Sequence, residues 1–168
     1  MRPVSKLAAA SLGVFLGTQA PSGTLALLAP RAHAGDAETN PLERAKVGQW
    51  AKYKLQNDME MKQSVPTVDG RKVTLRNEMW MKGSALPAND TVVDLDKKLD
   101  AGDRKNETPK VEEDTVTVAG KKLKCRVTIL GSVRTWISDE VPVYGVVKQT
   151  MEDKVTMELV AWGDTPEK

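Results

Sequence analysis

The chain has 168 residues, and its 25 Lys and Arg against 23 Asp and Glu leave a formal charge of +2, too nearly neutral to suggest a nucleic-acid surface. One histidine, one cysteine and a low aromatic content further exclude a disulfide framework within the chain and a histidine-based catalytic or metal set.

Residues 1–34 read as a secretory signal. Arg2 and Lys6 form a basic start, Leu7 to Gly17 an apolar run, Leu25 to Ala29 a second, and Ala32-His33-Ala34 a small-residue cleavage site. Pro21, Ser22 and Gly23 interrupt the apolar stretch and no basic stop-transfer cluster follows, so cleavage near Ala34 is expected rather than a retained anchor. The expected product is exported to a periplasmic or extracellular location, with no transmembrane span. Removing 34 of 168 residues leaves 134 and takes away Arg2, Lys6, Arg31 and the only histidine, His33. The charge then moves from +2 to −1, with 22 basic residues facing 23 acidic ones. A mature chain of that length is one domain able to bury a core.

Residues 35–49 are expected to form a polar leader and one short helix. Asn40 suits an N-cap, Pro41 the first helical position and Glu43 a reach back toward the cap, with Gly48 as the stop. From Trp50 the period changes to two, placing Ala51, Tyr53, Leu55, Asn57, Met59 and Met61 on one face of a single long strand that Val65-Pro66 breaks. Asp69-Gly70 signals a turn. Val73, Leu75, Asn77, Met79 and Met81 then alternate with Thr74, Arg76, Glu78, Trp80 and Lys82 in a second strand. LQNDMEMK at 55–62 and LRNEMWMK at 75–82 are near-copies, each putting an asparagine and two methionines on its inward face.

Thr91 to Leu95 is expected to be a short third strand, and 97–114 a charged excursion without large apolar groups. Beyond it lie Thr115 to Val118, a turn at Ala119-Gly120, and a strand with Leu123, Cys125, Val127 and Ile129 inward. Val133 to Ser138 forms the next strand, Val141-Pro142-Val143 a turn, and Tyr144 to Met151 another strand. A last one turns Val155, Met157, Leu159 and Ala161 inward and ends at Trp162-Gly163, before a tail at 164–168. The single β domain therefore runs over 50–163.

The segments AGKKLKCRV, RTWISDEVP, YGVVK and ELVAWG, within Thr115 to Gly163, together resemble the C-terminal half of exported bacterial proteins of unknown function. These are similar in turn to the curved half-barrel of the lipoprotein carrier (LolA-like) superfamily. The resemblance implies three adjacent strands of a curved sheet. The carriers plug the open side of their sheet with helices, and this chain offers only the one near Pro41, so carrier function does not transfer. The expected fold is mainly β, a curved antiparallel sheet or half-barrel with one short N-terminal helix.

Candidate chemistry is sparse, and an enzyme is not expected. Ser138 sits beside Asp139 and Glu140, but no histidine base remains in the mature chain, and turn chemistry explains the triplet. Asp94, Asp96, Asp100 and Asp103 lack the glycine and distal glutamate of a calcium loop. Glu112 and Glu113 fall in the excursion, where nothing would hold them at a hydrolytic spacing. Cys125, alone and inward, reads as a small core hydrophobe.

Two surfaces carry the functional expectations. Tyr53, Leu55, Asn57, Asn77 and Met79 are candidates for a concave face that takes an apolar ligand or a partner segment, because inward amides need either partners or a wet concavity. The alternative is monovalent copper or silver held by Met59, Met61, Met79 and Met81, since soft thioether sulfur selects such ions. Some exported copper chaperones are similar in using Met-x-Met on a small β-barrel with a nearby tryptophan. Here Trp80 alternates with Met79 and Met81 and should point the other way. No other cofactor is expected. Trp50 and Trp80, on the nominally polar face, should be covered by the helix and the excursion or form a contact patch.

Overall fold

The computed structural model describes residues 40–97 and 108–165. The expected signal sequence, the leader as far as Thr39, residues 98–107 of the excursion and the last three residues of the tail lie outside them. The described residues form one antiparallel sheet of ten strands, which is not closed. No helix among them is long and apolar enough to cross a membrane.

In chain order the strands are β1 (Trp50–Leu55), β2 (Met59–Asp69), β3 (Lys72–Met81), β4 (Ser84–Ala85), β5 (Asn89–Asp94), β6 (Lys110–Val118), β7 (Lys121–Leu130), β8 (Val133–Ile137), β9 (Val146–Met151) and β10 (Lys154–Gly163). Their order across the sheet is β4-β3-β2-β1-β10-β9-β8-β7-β6, with β5 also paired to β3. The first and last strands thus meet at the centre, and each half of the chain extends outward as a meander.

Several boundaries differ from the sequence expectation. A four-residue 3-10 turn, Pro41–Arg44, stands in place of the two-turn helix. Asn40 Oδ1 accepts the Leu42 N–H at 3.1 Å as the cap requires, but Ala45 is already extended. Leu42 is the only buried residue of the turn, and so short a helix has too little apolar face to propagate. Instead Gly48 N–H donates to Val65 O and Val65 N–H to Gln49 O, both at 2.9 Å, which draws the chain straight into sheet pairing.

The long strand expected from Trp50 through Met61 is two strands of a hairpin. Asn57 and Asp58 have φ of 61° and 55°, left-handed residues in the three-residue turn 56–58 between paired Leu55 and Met59, so Asn57 is exposed at a tip rather than inward. Asn and Asp are the non-glycine residues that tolerate this region best. The near-copies are consequently not equivalent: Asn57-Asp58 turns, whereas Asn77-Glu78 continues β3. Lys82-Gly83, Ala119-Gly120 and Glu152-Asp153 are also left-handed pairs, each in a two-residue turn. Pro66 does not end β2; it sits in a bulge between Ser64 and Thr67. A further bulge between Val155 and Met157 leaves Val155 exposed while Leu159 is buried. The charged excursion ends earlier than expected, because Lys110 already opens β6, and Glu112 and Glu113 lie in that ordered strand opposite Val127 and Arg126. Strand β9 begins at Val146, two residues after Tyr144, because Gly145 still belongs to the preceding loop.

The sheet curls strongly. Strands β9, β8 and β7 separate β10 from β6, a distance of about 19 Å across a flat sheet, yet Cα atoms of β6 come within 8 Å of β10. Lys121 of β7 likewise lies 5.7 Å from the Trp162 ring of β10. Inside the curl, Ala51, Tyr53 and Met61 share one core with Leu123, Cys125, Val147 and Leu159. A second core joins Leu42, Val65, Val73 and Leu75 to Val143.

Val143 belongs to the loop 138–145 between β8 and β9, which caps one end of the curl. Val141 enters the first core, Val143 the second, and Tyr144 packs against both. Gly145 takes φ +72°, and a Cβ there would lie 2.8 Å from Ser138 O. The 3-10 turn closes over the same end through Arg44 to Asp139 at 2.6 Å and Glu43 to Arg71 at 3.3 Å.

Candidate functional site

At the end of the curl opposite this cap, the register of β3, β2, β1 and β10 aligns side chains in rows. Met81, Met59, Leu55 and Met157 are successive cross-strand partners. Met79, Met61, Tyr53 and Leu159 form the next row inward, and Asn77, Gln63, Ala51 and Trp162 the one after that. Partners directly opposite in antiparallel strands share a face. The three rows therefore form one patterned surface leading from rim to core.

Burial falls steadily toward the rim. Met61, Tyr53 and Leu159 are buried, Met79 half-buried, and in the outer row Leu55, Met59 and Met157 are half-buried while Met81 is 44% exposed. Other large apolar side chains surface at the same end: Met151 and Val155 beside the β9–β10 turn, and Val111 near the start of β6. Toward the capped end Val47 and Val92 are exposed as well, while Leu42, Val141 and Val143 are buried beneath the cap.

Of the residues expected to line a concave face, Tyr53, Leu55, Asn77 and Met79 are brought together, and Asn57 is not. Asn77 finds its partner elsewhere: its Oδ1 accepts from Nε2 of the buried Gln63 at 3.0 Å. That amide pair separates the methionine rows from the second core. Gln63 is the residue sequence reading passes over, although the alternation of Met59 and Met61 continues onto it; taking Pro66 as a strand breaker hides it. Met157 joins the rim for a similar reason, since pairing of β1 with β10 is a contact between the two ends of the domain.

The four methionines expected to form a metal set also come together, as directly opposed pairs, Met59 with Met81 and Met61 with Met79. Trp80 faces away, opposite Glu60, under Lys52 Nζ at 5.7 Å, and Lys52 is ion-paired to Glu60 at 2.8 Å. Trp50 is not a contact patch: it is buried beside Gly163, its indole N–H donates to Thr165 O at 2.7 Å, and Lys62 Nζ lies 5.2 Å from its ring.

Tyr53 holds the only phenol in the methionine rows. Its hydroxyl is fully buried and makes no hydrogen bond, and burial pushes its pKa far above the ordinary tyrosine value. Burial raises Tyr144 as well. Cys125 is buried, its thiol donates to Leu123 O at 3.6 Å, and desolvation pushes its pKa up, which keeps it a thiol rather than a nucleophilic thiolate.

The polar and charged residues weighed above as candidates for chemistry have structural partners. Ser138 is buried, and its Oγ accepts from Glu140 N–H at 3.4 Å within the loop, while Asp139 and Glu140 pair with Arg44 and Lys121. Asp96 pairs with Arg71, and Asp94 Oδ1 accepts the Asp96 N–H; Asp100 and Asp103 lie outside the described residues. Glu112 pairs with Lys110. Asp114 accepts the Trp136 indole N–H at 2.8 Å, which, with the Thr115 amide, holds its carboxyl below the usual range. Among the described residues no three His, Cys, Asp or Glu side chains are gathered as a metal site.

No protein-family model, curated protein or solved structure matches the chain. The resemblance to the lipoprotein carriers therefore rests on the short motifs alone.

Proposed function

We propose that this is an exported, non-enzymatic binding protein, a half-barrel whose open, methionine-rich rim receives an apolar ligand or an apolar partner segment. One observation carries the reading: Met81, Met59, Leu55 and Met157 line up across four strands at the uncapped end, and none of the four is fully buried. Methionine suits such a surface because its flexible, polarizable side chain moulds to differing apolar shapes. The inner part of the face is filled by Met61, Tyr53 and Leu159, so the ligand lies on the rim rather than deep in the sheet.

The test is a titration of the purified mature chain with a fluorescent fatty acid. Saturable binding weakened about tenfold by Met81→Lys, the loss expected when a cation replaces a partly exposed apolar contact, supports the rim. Binding that Met81→Lys and Met59→Lys both leave intact, or no saturable binding at all, ends the proposal.

A further inference from the structure

The same register points to a second use of this surface, independent of apolar ligands: we infer that Met59, Met61, Met79 and Met81 form a thioether site for one soft monovalent cation, silver(I) or copper(I). The two opposed pairs place four Cβ atoms at the corners of a rectangle about 5 Å across the strands and about 7 Å along them. Its centre is about 4 Å from each corner. A methionine sulfur stands two bonds beyond Cβ and is placed by two side-chain rotations, and a metal–sulfur bond adds a further length of about 2.3 Å, the zinc–sulfur value. Four sulfurs therefore reach one point above the centre without moving the backbone.

Ligand chemistry and position agree with that geometry. Uncharged thioethers bind soft monovalent ions and leave hard divalent ions to carboxylates, and the four corners hold no carboxylate. Met61 is buried and Met79 half-buried, so the inner pair is fixed by packing, while Met81 at 44% exposure gives the ion a route in from solvent. The Asn77–Gln63 amide pair closes the site on its inner side. Trp80 lies on the opposite face, so the ion is not capped by an indole, and Met81 stands on its outer side.

Silver(I) is the probe, because it needs no reductant. Native mass spectrometry of the mature chain in a Cys125→Ala background, which removes the only thiol, should show uptake of one silver ion. Methyl-labelled methionine spectra should then shift at Met59, Met61, Met79 and Met81 and stay in place at Met151. Met59→Leu combined with Met81→Leu should abolish stoichiometric uptake with an unchanged unfolding midpoint. Titrating the Cys125→Ala chain with the fluorescent fatty acid in parallel reads the two activities separately, so that absent silver uptake with fatty-acid binding retained counts against this site alone. No uptake in the Cys125→Ala chain, uptake that survives the double substitution, or shifts spread equally over Met151 would overturn the assignment.

Discussion

Replacing Gly145 by alanine tests the cap on which the whole arrangement depends. At φ +72° an L residue costs about 1–2 kcal/mol relative to glycine. The added Cβ would stand 2.8 Å from Ser138 O and 3.2 Å from Ile137 Cγ2, the first of which is backbone. Ser138 O accepts the Val141 N–H at 3.2 Å and Ser138 N–H donates to Gly145 O at 2.8 Å, so relieving the collision loosens a hydrogen bond worth about 1 kcal/mol. Val143, two residues earlier, is already a β-branched residue at φ +65°, which leaves the loop little slack. The expected destabilisation is about 2–4 kcal/mol, or a midpoint lowered by about 10 °C. Urea unfolding followed by tryptophan fluorescence measures it, with Gly83→Ala as the control. Gly83 has φ +80° but nothing within 4 Å of its Cβ, so it pays only the backbone cost, about 1–2 kcal/mol. Equal losses at the two glycines would refute the collision and with it the tight cap.

Three further outcomes follow from the same structure. Asp58→Gly should stabilise the chain by about 0.5–1 kcal/mol in urea unfolding, since it relieves a left-handed residue; in a continuous strand the same change would destabilise. Leu42→Ala should cost about 2–4 kcal/mol by emptying the second core beneath the 3-10 turn, whereas a loss below about 1 kcal/mol would mean that the turn is not anchored there. Tyr53→Phe should be neutral or stabilising by about 1 kcal/mol at neutral pH, because it deletes an unpaired buried hydroxyl. Since burial raises the folded-state pKa of Tyr53 and Tyr144, their contribution is complete below the unfolded tyrosine value of about 10 and lost as pH rises beyond it. Stability should therefore fall above pH about 10, and less steeply in Tyr53→Phe; an unchanged slope would show that the phenol is not buried.

Much of the sheet is legible in the sequence because its signals are local. Period-two alternation marks Leu123, Cys125 and Val127 as inward, and Ala119-Gly120 marks their hairpin. Asn57-Asp58 is harder, because the alternation runs through it unbroken and only the pairing of β1 with β2 decides for a turn. Neither Lys110–Asp114 nor Pro66 reads as strand from composition; the first is held by pairing with β7 and the second is accommodated by a bulge. The methionines are visible as a pair of Met-x-Met motifs, but their face-to-face arrangement comes from the reversal of β2 against β3. Met157 depends on the meeting of β1 with β10, the longest-range contact in the domain, which no local pattern encodes.

The central claim, that the rim row is the binding surface, is tested most directly by methyl-labelled methionine spectra recorded while a fatty acid is added. Saturable shifts are expected at Met81, Met59 and Met157, with little change at the buried Met61. Shifts confined to Met151, or a spectrum that does not respond to the ligand, would contradict it.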